Sequence, residues 1–112
     1  MAGAVIDATD ETFVADVLQA SQSGPVVVDF WAPWCEPCRV LGPMLEQVAA
    51  EAPGVTLVKV NTDESPQVAQ AYAIESIPAV KAFRDGEVVN EFLGAQGEPE
   101  VRQFFASLVP TE

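Results

Sequence analysis

The sequence predicts an α/β protein with a central five-stranded mixed sheet flanked by four helices. Three observations carry this. Val26, Val27, Val28, Phe30 and Trp31 form a run without polar alternation, as in a strand buried on both faces of a sheet covered by helices. A helix-period segment and a second β-branched strand follow it, the order of a parallel crossover. Toward the end, two strand-like runs flank Asp85-Gly86, a strong signal for an antiparallel hairpin.

Taken in order, Ala4 to Asp7 reads as a short strand. Thr9 is placed to cap a helix whose Phe13, Val14, Val17 and Leu18 make one apolar face, and Ser23-Gly24-Pro25 breaks it. After the apolar strand, Val40, Leu41, Met44, Leu45, Val48 and Ala49 recur at helical spacing, ending at Pro53-Gly54. Pro43 lies inside this helix and predicts a kink. Val55 to Asn61 is strand-like in its β-branched content. Ser65 followed by Pro66 is the pattern of an N-cap and first helical residue, opening a short helix through Val68, Ala69 and Tyr72. Ala79 to Arg84 and Glu87 to Leu93 form the hairpin. Glu98-Pro99 opens a last helix with Val101, Phe104, Phe105 and Leu108 on one side.

Composition narrows the function. The 112 residues suit one domain, residues 1–112, and 49% hydrophobic content argues against disorder. Seventeen acidic against five basic residues give a net charge of −12, which offers no attraction to phosphate backbones or anionic lipid. A nucleic-acid or membrane role is therefore not expected. The N-terminus lacks a basic region followed by an apolar run, and no apolar stretch approaches the roughly 20 residues that cross a bilayer. A cytoplasmic protein is the expectation.

The two cysteines, Cys35 and Cys38, stand where the buried strand meets the following helix, with Cys35 in its first turn. A helix N-terminus stabilises a thiolate through its unpaired N–H groups and dipole, so Cys35 is the expected nucleophile. Two intervening residues allow Cys38 to resolve a mixed disulfide formed by Cys35, and its deeper position predicts the less exposed thiol. Pro37 is tolerated so early because the first helical N–H groups lack partners anyway. Competing readings lack their requirements: a structural zinc site needs four ligands, and the chain has no His and no third Cys. A structural disulfide over so short a loop constrains little chain entropy. Asp29 and Lys59 each interrupt an apolar strand, which suggests a functional pair on neighbouring strands. Trp34, a large aromatic beside the nucleophile, suggests a peptide-contact surface.

The run VVVDFWAPWCEPCR, the later Ile77-Pro78, the Asp85-Gly86 hairpin and Leu93-Gly94-Ala95 together resemble the bacterial thioredoxins, with matching spacings over nearly the whole chain. The stretch TDESPQVAQAYAIESIPAVKAFRDG is most similar to the thioredoxin domain at the N-terminus of certain bacterial co-chaperones, whose helical repeats are absent here. The resemblance implies a thioredoxin-like fold and roles by position. Cys35 matches the nucleophile, Cys38 the resolving thiol, and Trp34 and Trp31 the tryptophans flanking and underlying the site. Asp29 matches a buried aspartate assisting proton transfer at the resolving thiol, and Lys59 the lysine near it. Ile77-Pro78 matches a loop whose proline is cis and faces the disulfide; Gly94 and Ala95 match part of the substrate groove. Glu36, Pro37 and Trp31 are expected to modulate the pair, Glu36 standing where glycine is usual. Glu75-Ser76 replaces a more usual basic or glycine pair.

The expected activity is disulfide reduction in client proteins, with no bound cofactor and no metal. By the resemblance, electrons come from a thioredoxin reductase, an NADPH-dependent flavoenzyme, and the protein acts as a monomer. The alternative is a holdase or co-chaperone domain that binds unfolded clients and forms mixed disulfides with them.

Overall fold

The computed structural model describes residues 4–109. Its elements run β1 (Val5–Ala8), α1 (Val14–Gln19), β2 (Val26–Trp31), α2 (Glu36–Glu51), β3 (Thr56–Asn61), α3 (Pro66–Ala71), β4 (Ala79–Arg84), β5 (Glu87–Leu93) and α4 (Glu98–Ala106). The five strands form one sheet in the order β1-β3-β2-β4-β5. β2 pairs parallel with β3 and antiparallel with β4, so the sheet is mixed and β2 lies at its centre. Val26 to Phe30 are all buried, as an uninterrupted apolar run requires.

Alternation along β2 separates two cores. Val27 joins Leu57, Val80 and Ala82 beneath α2 and α4, where Leu41, Leu45, Val101, Phe104 and Phe105 pack. Val26, Val28 and Phe30 face the other side with Val58, Val60, Phe83, Phe13, Val17 and Val68. Phe13, Phe83 and Tyr72 meet there with ring centroids 5.5 to 6.0 Å apart. The hairpin turn has positive φ at both Asp85 (54°) and Gly86 (80°), the backbone a two-residue primed turn demands.

Several local expectations give way to tertiary context. The Thr9 side chain caps nothing: its hydroxyl donates to Glu11 Oε1, while its carbonyl accepts from the amides of Thr12 and Phe13 in a turn before the helix. α1 is π-helical and continues as a 3₁₀ turn over Ala20–Gln22. The wider turn keeps Phe13 and Val17 on the core but leaves Val14 exposed. On α2 the buried stripe is Leu41, Leu45, Val48 and Ala49, and Val40 lies beside it in solvent. α2 extends over Glu36–Glu51 with the exposed Pro43 within it.

Ser65 occupies the N-cap position of α3, yet its hydroxyl is buried with no partner among the described residues. Asp10, more than fifty residues earlier, does the capping: its carboxylate accepts from the amides of Val68 at 2.9 Å and Gln67 at 3.2 Å. A carboxylate satisfying two orphan donors at a helix N-terminus combines hydrogen bonding with the favourable dipole. Asp10→Ala should therefore lower stability by about 1–2 kcal/mol, and Ser65→Ala by no more than a few tenths. Urea unfolding of the two variants checks the order; a larger loss at Ser65 contradicts the assignment.

Candidate active site

The end of β2 delivers Trp31 and Ala32 directly to the N-terminus of α2. Cys35 is the N-cap residue of that helix, in extended conformation, and its Sγ accepts the Cys38 amide at 3.3 Å. The amide of Cys35 donates to the Ala32 carbonyl at 3.1 Å, and Arg39 donates to the Pro33 carbonyl at 2.9 Å, which ties the connecting loop to the helix. Cys35 and Cys38 are joined as a disulfide with Cα atoms 5.3 Å apart. Ala32 and both cysteines form a small cluster against Trp31 and Ile77. Burial does not rank the two cysteines: Cys35 is 4% exposed and Cys38 6%. The expectation of a less exposed Cys38 is thus corrected, because the N-cap sulfur folds under the helix end onto the Cys38 amide. What distinguishes Cys35 is that amide, aimed at its sulfur.

The surrounding residues come from four loops and the first turn of α2. Trp34 is 68% exposed, and its indole donates to the Asp63 carboxylate at 3.0 Å. That bond fixes a flat apolar surface beside the disulfide. The Ile77-Pro78 bond is cis, Ile77 packs on the cysteine cluster, and the Pro78 carbonyl accepts the Gly94 amide at 2.8 Å. Gly94 has φ 82°, a conformation that suits glycine, and exposed Ala95 follows it. Glu36 and Glu75 are exposed; Glu36 lies 3.8 Å from Arg39, and Pro37 sits in the first helical turn.

Asp29 and Lys59 are direct partners in the β2–β3 register. Asp29 is only 2% exposed, and its Oδ1 has no hydrogen-bond partner among the described residues. Burial pushes its carboxyl from the ordinary range up to about 6, against the pull of the Lys59 ammonium and with a smaller push from Glu46. Lys59 itself donates to Glu46 Oε2 at 2.7 Å and lies 5.5 Å from the centre of the Trp31 ring. Sequence reasoning missed both Asp63 and Glu46. Asp63 stands just past the strand that ends at Asn61, a position that could have drawn attention; Glu46 looks like any polar residue of an amphipathic helix. Among the described residues no group of three or more His, Cys, Asp or Glu side chains is placed to hold a metal. No helix there is long and apolar enough to cross a membrane.

A Cys-X-X-Cys disulfide at a helix N-terminus, carried by a buried strand of an α/β sheet, defines a dithiol–disulfide redox protein. Comparison with known proteins gives it a family. The model of the thioredoxin family matches residues 4–107. Thioredoxin 1 of Synechococcus elongatus is 50% identical over 88 residues, covering 78% of this chain and 80% of its own. The thioredoxin of Streptomyces clavuligerus is 44% identical, covering 86% and 88%. A bifunctional thioredoxin reductase/thioredoxin of Mycobacterium leprae is 38% identical over 97% of this chain, which spans 24% of that protein. The chain belongs to the thioredoxin family, and its Cys35-Cys38 pair makes it a thiol–disulfide oxidoreductase. These relatives do not favour the holdase alternative.

The raised carboxyl of Asp29 has a consequence for stability. Between about pH 4 and 6 the folded state holds more protons at this site than the unfolded chain, so stability falls as pH rises through that window. A carboxyl raised to about 6 bounds the penalty at roughly 3 kcal/mol above that pH. Asp29→Asn should be more stable than the parent at pH 8 by up to about 3 kcal/mol, with the gain vanishing below pH 4. Denaturant unfolding at the two pH values measures it; an equal gain at both contradicts the linkage.

Proposed function

We propose that the protein reduces disulfides in client proteins as one monomeric, cytoplasmic domain, with Cys35 as nucleophile, Cys38 as resolving thiol and Asp29 as proton acceptor. The observation that carries the division of labour is the Cys38 amide directed at the Cys35 sulfur. In the reduced protein the Cys35 thiolate attacks one sulfur of a client disulfide, forming a mixed disulfide and expelling the other sulfur as a thiolate, which takes a proton from water. Cys38 then gives its proton to the Asp29 carboxylate, and its thiolate attacks the Cys35 sulfur, expelling the second client sulfur as a thiolate that is protonated in turn as Asp29 releases its proton to solvent. The client gains two electrons and ends with two thiols, and Cys35-Cys38 becomes the disulfide. Lys59 steadies the carboxylate form of Asp29.

Clients lie as extended segments along Trp34, the Ile77-Pro78 loop and Gly94-Ala95, with apolar contact from Trp34 and strand-like hydrogen bonds from the loop backbone. Trp31 and Pro37 hold the pair from beneath and from within the helix turn. Restoring the dithiol takes two electrons from a reductase, which we assign to an NADPH-dependent flavoenzyme of the thioredoxin reductase type. The mycobacterial relative that joins the two activities in its name supports such a partner. The protein itself binds no cofactor in this scheme.

Trapping separates the two sulfurs. Cys38→Ser should accumulate mixed disulfides with client proteins, and Cys35→Ser almost none. Non-reducing electrophoresis reads this directly, and equal trapping by both variants rejects the assignment.

Glu36 opposes the helix end that favours the thiolate, although solvent and the neighbouring Arg39 offset most of its charge. Because destabilising the thiolate favours the disulfide, Glu36→Gly should raise the reduction potential by on the order of 10 mV and lower the Cys35 pKa. Equilibration against glutathione, with thiolate absorbance for the pKa, checks both signs.

A further inference from the structure

A cleft of about 430 Å³ opens beside the redox pair, and its lining includes Trp31, Cys38, Gly42, Glu46 and Lys59. It connects the resolving thiol with the Lys59–Glu46 ion pair. Lys59 is the more buried partner of that pair, and its ammonium is spent on Glu46 at 2.7 Å. Asp29, its direct neighbour in the sheet, receives no hydrogen bond from it, and Asp29 Oδ1 has no partner among the described residues.

We propose that Glu46 is a positioning residue for the resolving step: it holds the Lys59 ammonium toward α2, so that the buried Asp29 carboxylate lacks a hydrogen-bonded counter-ion and remains basic enough to take the Cys38 proton. The inference rests on the reading of Asp29 as that acceptor. A free ammonium within hydrogen-bond reach of a buried carboxylate would favour its charged form strongly, since both groups sit in low dielectric. The carboxylate would then be a poorer base toward a thiol, whose reference pKa is about 8.5. Anchoring the lysine on a second carboxylate avoids this. Lys59 still balances part of the Asp29 charge through space, while its hydrogen bond is committed elsewhere.

The other groups around Asp29 do not substitute for Glu46. On β4 its register partner is Val80, which carries no charge. On β1 the exposed Asp7 stands beside Lys59 in register, but no hydrogen bond joins them among the described residues. Arg39 of α2 also lines the cleft, with its guanidinium directed to the Pro33 carbonyl and toward Glu36. Cys38, the remaining titratable group in the lining, is the proton donor itself. Burial and Glu46 act on Asp29 in one direction and Lys59 in the other.

The test follows the Asp29 carboxyl by ¹³C NMR in the reduced protein, with its signal assigned by its loss in Asp29→Asn. Glu46→Gln should move the midpoint down by about one pH unit, as a closer opposite charge does. In a Lys59→Met background the same substitution should move it by less than a third of that. Thermal melts establish that both variants fold. In parallel, the rate at which Cys38 resolves a mixed disulfide preformed on Cys35 should show its acid limb displaced by the same amount in Glu46→Gln. An unmoved midpoint, or an equal shift without Lys59, overturns the role of Glu46 and leaves that of Asp29 standing. A moved midpoint with an unmoved resolving profile overturns the proposal through Asp29 instead.

Discussion

The contact on which the site depends is the one between the Cys38 amide and the Cys35 sulfur. It places a sulfur where the first turn of a sixteen-residue helix leaves its N–H groups without backbone partners, and the helix dipole favours an anion at that point. The contact exists because β2, buried on both faces, ends at Trp31 and hands the chain to α2 within a few residues. The remaining elements serve to keep that junction rigid. β3 and β4 bracket β2, α2 and α4 cover one face, and the aromatic cluster around Phe13, Tyr72 and Phe83 covers the other.

A second constraint is electrostatic. A central strand fully enclosed by apolar side chains carries one carboxyl, Asp29, and burial raises its proton affinity into the range where it exchanges protons near neutrality. A hydrophobic residue there would pack more easily and cost nothing in desolvation. The carboxyl, with Lys59 beside it in the sheet and Glu46 bonded to that lysine, is the feature on which the proposed proton-transfer role rests. The desolvation cost falls on the strand that contributes Val27 to one core and Val26, Val28 and Phe30 to the other.

The face around the disulfide is assembled from segments far apart in the chain. Trp34 is oriented by Asp63, and the Ile77-Pro78 loop is tied to Gly94 through a backbone hydrogen bond. Each bond is modest in energy, and together they hold the surface on which the proposed client contact rests. The negative charge of the whole chain then biases encounters toward cationic segments, more through rate than through affinity.

The sequence by itself determined the element order, the burial of the apolar strand on both faces, the hairpin at Asp85-Gly86 and the Cys35-Cys38 pair at a helix start. These depend on local periodicity, turn chemistry and the spacing of two thiols, all of which are properties of short segments. Asp29 and Lys59 were legible for the same reason: each breaks an apolar run. Tertiary structure alone decided that Asp10 rather than Ser65 caps α3, that α1 takes a π-helical form with Val14 outside, and that Lys59 is anchored by Glu46. Capping partners and ion pairs between distant elements leave no periodic trace, because they depend on which side chains the packed sheet and helices bring within 3 Å of each other.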